Sequence, residues 1–321
     1  MRKLVSGLSF ILGLSGAVQA EVQNEGPRLD VAFLLDATGS MADEIDAVKS
    51  KIRSIISDIA LGEPVPDVRF GIVAYRDRGD EYVTRSSDLT RDIDRVDADL
   101  QDIVADGGGD YEESLVEGLH VMLNGLDWDP QAARLAFLVA DAPPHLDYAD
   151  DYDFDQEVDD AVARGIALHA IGASGLDEKG EDLFKELAER TGGRFQWLVY
   201  EQRYTDETGD EVVVRIEGRS ATYSKGDSTW TVDDAAPGIG VGGGGRSLGA
   251  TVDMVSSEAD LSGAESKVGG GVGGEVSNNL DELITETIRA AAGGEGVEYG
   301  AGETAVKSRS WGRIKHKTTE E

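Results

Sequence analysis

The chain has 321 residues, 40% of them hydrophobic, and carries 63 Asp and Glu against 30 Lys and Arg, for a net charge of −33. That imbalance argues against nucleic acid or an anionic membrane surface as partner and permits cations and basic proteins. There is no cysteine, so disulfides and thiolate ligands are excluded and the fold must rest on a hydrophobic core.

Residues 1–20 have the pattern of a secretory signal. Arg2 and Lys3 form a charged start, Leu4 to Leu14 a short apolar run, and Val18-Gln-Ala20 a small-residue cleavage site. The run is too short for a stable span, with a non-cleaved anchor as the alternative. The expectation is export, to a bacterial periplasm or the exterior, with no membrane insertion of the mature chain.

After a linker over 21–28, strands and helices alternate. Val31-Ala-Phe-Leu-Leu35 runs as a buried strand into Asp36. From Ala42 the apolar spacing turns helical, with Ile45, Val48, Ile52, Ile55 and Ile59 on one face. Val68 to Tyr75 predicts a second strand, and Glu81 to Arg85 another. Helices are expected over Thr90 to Ala105 and Glu112 to Asn124, separated by Gly107-Gly-Gly-Asp110. Leu135 to Ala140 is an apolar strand ending at Asp141-Ala-Pro-Pro-His145, where the prolines stop it. An acidic loop from Asp147 to Asp155 precedes a helix to Arg164, the strand Ile166 to Ile171, a helix over Asp177 to Arg190 and the strand Phe195 to Val199. Uninterrupted apolar strands alternating with amphipathic helices predict an α/β fold: a doubly wound, mostly parallel sheet with helices on both faces, over 28–199.

From Tyr200 the character changes. Glu211 to Ile216 and Arg219 to Ser224 read as a hairpin, Ser228 to Val232 adds a strand, and Pro237 to Gly249 and Val268 to Gly274 are glycine-rich. Residues 200–277 are therefore expected to be a β-rich, Gly-rich insertion. An amphipathic helix over 278–292 closes the first domain, and 293–321 is expected to be a flexible tail with a basic cluster at Lys307, Arg309, Arg313, Lys315 and Lys317.

Three loops at strand ends carry the chemistry. Asp36, Thr38 and Ser40 sit where a strand gives way to a helix, the position at which open α/β sheets bind ligands. A carboxylate and two hydroxyls at alternate positions are hard donors suited to Mg²⁺, Ca²⁺ or Mn²⁺; the competing reading is a helix cap built by Ser40 and Asp43. The second loop, Gly107 to Glu113, supplies Asp110 and Glu113 on a backbone that glycine lets approach a ligand. The third supplies Asp141.

At these residues the chain resembles the von Willebrand factor type A (VWA) domain with its metal-ion-dependent adhesion site. Asp36-Ala-Thr-Gly-Ser40 is similar to that family's Asp-x-Ser/Thr-x-Ser motif, Asp141 to its later strand-end aspartate, and Gly107 to Glu113 to its middle metal loop. The resemblance implies a Rossmann-like sheet. It also implies a cation held directly by Thr38 and Ser40 and directly or through water by Asp36 and Asp141. A protein partner's acidic side chain would complete the shell, in an adhesion or assembly role. The middle loop lacks the family's frequent threonine, so Glu113 is expected to serve the main site, with Asp110 helping it or serving an adjacent cation.

His145, after the double proline, is a candidate to line the partner-binding surface, while His120 and His169 are expected to be packing residues. With no Cys and four His, composition argues against zinc. No Walker or nucleophile-elbow pattern occurs. The expectation is a binding module rather than an enzyme. A phosphatase using Asp36 is the alternative, although its usual second Asp is replaced here by Thr38. A further alternative is an assembly protein whose insertion makes the main contact.

Overall fold

The computed structural model describes residues 26–206, 208–232 and 275–299. The signal-like segment, both glycine-rich runs and the basic carboxyl-terminal cluster lie outside the described residues.

The main sheet has six strands in the order β3-β2-β1-β4-β5-β6, with β1 Arg28–Asp36, β2 Asp67–Tyr75, β3 Thr84–Thr90, β4 Ala133–Ala140, β5 Ile166–Gly172 and β6 Phe195–Trp197. All neighbours are parallel except β2 and β3. The period of two along β1 shows why helices cover both faces. Val31, Phe33 and Leu35 enter a core with α1 (Ala42–Ile59), α2 (Ile93–Gln101) and the last helix, α6 (Leu280–Gly294). Ala32 and Leu34 enter the opposite core, with α3 (Leu115–Gly125), α4 (Phe154–Arg164) and α5 (Glu178–Thr191). Asp153 and Asp177 cap the starts of α4 and α5 through side-chain acceptors, and Gly165 and Gly192 end them in the left-handed region.

Several boundaries differ from expectation for local reasons. The second strand of the β2–β3 hairpin is Thr84–Thr90 rather than Glu81 to Arg85. Its polar Arg85-Ser-Ser-Asp88 run lies on the sheet edge, where no apolar alternation is needed. That strand takes Thr90, so α2 starts later, capped by Asp92. α3 starts at Leu115 rather than Glu112, because Glu113 is held instead by its backbone to Pro143 and His145. The acidic loop is engaged by arginines: Asp150 lies 2.6 Å from Arg78 and Asp155 2.5 Å from Arg190.

The expected strand over Phe195 to Val199 is two strands. Leu198 N–H still bonds Gly172 O, and the chain then turns into β7 (Val199–Thr205). That strand starts a second, antiparallel sheet of order β10-β9-β8-β7-β11, with β8 Glu211–Glu217, β9 Ser220–Lys225, β10 Ser228–Val232 and β11 Glu275–Asn278. Chain entry and exit meet there: Tyr200 pairs with Asn278, and Val199 N–H donates to Asn279 Oδ1 at 2.8 Å. Val212, Val214, Ile216, Ala221 and Tyr223 share the core of α1 and α6, so this sheet is fused to the first domain.

The tail expectation fails at its start. Val297 is buried with Leu29 and Ala292, Glu298 and Glu63 exchange two backbone hydrogen bonds of 2.8 Å, and Tyr299 packs on Arg289. Residues 295–299 therefore add to the apolar cover over Leu29 at the start of β1, which Ala292, Val68 and Ala133 also supply.

Candidate metal centre

The strand order reverses at β1, which lies between β2 and β4. The carboxyl ends of β1 and β4 therefore open a crevice, the switch point at which such sheets take ligands. Asp36 ends β1, and Asp141 follows β4 directly.

The first loop is folded onto its own carboxylate. Asp36 Oδ1 accepts from Thr38 N–H at 3.0 Å and from Thr38 Oγ1 at 2.7 Å, and Tyr75 OH stands 3.5 Å from Oδ2. Thr38 Oγ1 lies 3.3 Å from Ser40 Oγ, which donates to Asp141 Oδ1 at 3.1 Å. Neither the short 3₁₀ turn Gly39–Met41 nor α1 has a side-chain cap hydrogen bond. The hydroxyls face carboxylates, so the capping reading of this motif does not hold. Ser40 is exposed, whereas Asp36 and Thr38 are buried, so the group is a buried base with an open rim.

The second and third loops close onto the first. Gly39 N–H bonds Gly107 O at 3.2 Å, and Asp106 N–H bonds Ala37 O at 3.1 Å. Glu113 N–H donates to Pro143 O, and Glu113 O accepts from His145 N–H. Gly108 has φ +77°, and a Cβ there would stand 2.7 Å from Glu113 Oε1 and 3.2 Å from Thr38 Cβ. Glycine at 108 is therefore what lets Glu113 reach the Thr38 loop. Glu113 is 4% exposed, and its Oε2 is buried without a hydrogen-bond partner.

Crowding of acids sets the electrostatics. Burial and then the charges of Asp36, Asp77, Asp141 and Asp80 push the Glu113 carboxyl up to about 9. Burial, reinforced by Asp141, also raises Asp36; Asp141 is raised by burial, partly offset by the Ser40 bond. Three acids raised chiefly by burial, with mutual repulsion adding to it at Glu113 and Asp36, would be relieved by a nearby positive charge. A divalent cation is the fitting one, since the donors are carboxylate and hydroxyl oxygens and Glu113 Oε2 is an acceptor in need of a partner. Asp36, Thr38, Ser40, Glu113 and Asp141 are thus brought together.

Asp110 and His145 are placed elsewhere. Asp110 Oδ1 is 3.3 Å from His145 Nε2, which lies 3.9 Å from Asp77 Oδ1. His145 is buried, so it is part of an inner cluster rather than a rim that a partner would touch. Burial lowers its pKa, but hydrogen bonds to Asp147 and Asp110 outweigh that and leave it raised. His120 stacks on Tyr152 and bonds Glu157, while His169 stacks on Phe137 and burial holds it down at about 4; both are packing residues.

Sequence reasoning missed three residues of the loop after β2. Asp77 accepts from Ser114 Oγ at 2.9 Å and from Tyr148 OH at 3.2 Å. Asp80 Oδ2 accepts from Asp77 N–H and Gly108 N–H, bracing the glycine loop. Arg76, buried, donates to Ala37 O and Val104 O and fastens the first loop to the chain entering the second. The available signal was position: Arg76-Asp-Arg-Gly-Asp80 follows an apolar strand just as Asp36 and Asp141 do.

Residues 30–198 match the family model described as von Willebrand factor A domain. The chain belongs to this family. The chain is 27% identical to alpha-protein kinase vwkA of Dictyostelium discoideum over 205 residues, covering 59% of this chain and 32% of that protein. It is 34% identical over 97 residues to human von Willebrand factor A domain-containing protein 7, covering 30% of this chain and 10% of the relative. The chain thus spans about a third or less of the length of these relatives. Among solved structures, proximal thread matrix protein 1 from the mussel byssus aligns with a TM-score of 0.43 at 15% identity, over 53% of this chain and 42% of that one. A further structure of that byssus protein has a zinc-occupied MIDAS motif.

Proposed function

We propose that this VWA protein is an exported binding module. It holds Mg²⁺, or Ca²⁺ or Mn²⁺, through Asp36, Thr38, Ser40, Glu113 and Asp141, and engages a protein partner whose acidic side chain completes the cation's shell. The observation that carries the reading is the turning of Thr38 and Ser40 toward carboxylates together with the unpartnered Glu113 Oε2. An all-oxygen set favours hard cations, and exposed Ser40 leaves an approach for an outside oxygen. Binding rather than catalysis is supported at Asp36 itself: both Thr38 donors point at one of its oxygens, so the loop fixes it as an acceptor. Export is supported by the pattern of residues 1–20. No helix among the described residues is long and apolar enough to cross a membrane.

The test is calorimetric titration of the protein with Mg²⁺, Mn²⁺ and Ca²⁺ beside Asp36→Ala, followed by binding of acidic peptides with and without chelator. The expected result is one-site oxygen-cation binding lost in the variant with the circular dichroism unchanged, and chelator-sensitive peptide capture. Cation binding unchanged in a folded Asp36→Ala protein would overturn the reading.

A further inference from the structure

Asp77, Asp110 and His145 come from three different loops, following β2, within the glycine loop and following β4, and their ligand atoms lie within 4.8 Å of one another. His145 Nδ1 stands 2.8 Å from Asp147 Oδ1. In the neutral tautomer Nδ1–H donates to that carboxylate, which leaves the Nε2 lone pair available to a metal. That nitrogen faces Asp110 Oδ1 at 3.3 Å and Asp77 Oδ1 at 3.9 Å. With a doubly protonated ring Nε2–H donates to Asp110, and with a neutral ring the three ligand atoms can face one cation. Ligands about 2.1 Å from a tetrahedral zinc stand roughly 3.4 Å apart; the Asp110–His145 separation of 3.3 Å matches this, and the 3.9 Å from His145 to Asp77 is wider.

We propose that Asp77, Asp110 and His145 form a second divalent-cation site, selective for a zinc-class ion and distinct from the oxygen site at Asp36 and Ser40. Imidazole supplies the nitrogen that the main site lacks, and nitrogen is what shifts selectivity from magnesium toward zinc. This differs from the compositional expectation against zinc, which weighed total histidine content rather than one histidine's surroundings. Access and rigidity divide between the ligands: the Asp77 and His145 side chains are 6% and 7% exposed, whereas Asp110 is 65% exposed. Ion and water enter past Asp110 onto a fixed pair. Asp77 is oriented by Ser114 and Tyr148, and His145 by Asp147 and by stacking on Tyr148 with ring centroids 4.1 Å apart. Glu113, buried with Oε2 unpartnered, interacts electrostatically with both Asp36 and Asp77. The assignment does not depend on the partner-binding reading.

Zinc titration of the full chain carrying Asp36→Asn isolates the second site, since the main one is disabled. Uptake of one Zn²⁺ per chain is expected, weakened at least tenfold by adding His145→Gln or, at the exposed ligand, Asp110→Asn. Asp147→Asn should weaken it about 10–100-fold through the second shell. The ¹⁵N resonance of His145 Nε2 should shift on zinc addition. No zinc uptake by the folded Asp36→Asn chain, or uptake indifferent to both His145→Gln and Asp110→Asn, overturns the proposal. If Mg²⁺ binding fails in the wild type while the zinc result stands, the main-site reading alone falls.

Discussion

Ser40 Oγ donates to Asp141 Oδ1 at 3.1 Å, joining residues 101 positions apart and tying the end of β1 to the end of β4. This bond spans the rim of the crevice and brings a hydroxyl donor and a carboxylate donor to one point. Ser40→Ala removes it at an exposed position, so stability should change by no more than about 1 kcal/mol. Mg²⁺ affinity should nevertheless drop by tenfold or more. Thermal melts beside calorimetry separate the two effects.

Asp36 is buried among acids, and its charge is a burden whenever no cation neutralises it. Asp36→Asn should therefore raise the melting temperature of the metal-free protein at pH 8, a gain of order 1–3 kcal/mol. The same change should abolish the stabilisation that Mg²⁺ gives the wild type. Scanning calorimetry with and without Mg²⁺ reads both.

The acid cluster also fixes a pH dependence. Glu113 is raised from 4.5 to about 9, and Asp36 and Asp141 are raised in the same direction. A raised folded-state pKa means the native protein binds protons more readily than the unfolded chain does. Its stabilising contribution is complete below the ordinary carboxylate range and is lost as pH rises toward about 9. The metal-free protein should accordingly melt lower at pH 8 than at pH 5.5, and saturating Mg²⁺ should remove most of that decline. A melting temperature that rises with pH without metal would contradict it.

Gly108→Ala tests the close approach of the glycine loop. The added Cβ would meet Glu113 Oε1 at 2.7 Å on a backbone at φ +77°. A cost of about 1–2 kcal/mol is expected, with metal affinity lowered because Glu113 is displaced. Gly109→Ala, where a Cβ meets nothing within 4 Å, is the control and should leave affinity unchanged.

The second sheet supports the first domain. Val214 is 1% exposed in the core shared with α1 and α6, so Val214→Ala should destabilise the whole protein by about 1–3 kcal/mol. Deleting 201–276 should lower the melting temperature and weaken cation binding together. A truncated chain that melts like the wild type would contradict the shared core.

The doubly wound sheet was legible because its central strands are buried on both faces and read as unbroken apolar runs. Asp36 and Asp141 stood out at their ends for the same reason. Three features were not legible. The bounds of β3 were misplaced, because the strand is polar, lies at an edge and has no apolar pattern. The start of α3 is set by Glu113 pairing with Pro143, a tertiary bond that overrides the helical propensity of Glu112 and Glu113. Asp77 joins His145 only because two strand-end loops meet in space, which no local spacing encodes. The separation of Asp110 from Glu113 followed likewise: three positions apart on one loop, they serve different clusters.

The doorway formed by Tyr200–Asn278 pairing and the Val199–Asn279 bond has a consequence for how this molecule can vary. Both ends of the intervening segment are pinned within one hydrogen bond of each other. The entropy of closing a loop across such a gap grows only logarithmically with length. Polypeptide of different size can therefore be added between β6 and the last helix, outside the strands that share the core, without disturbing the register of either. The crevice and the doorway are two separate ports, one set by chemistry and the other open to sequence change.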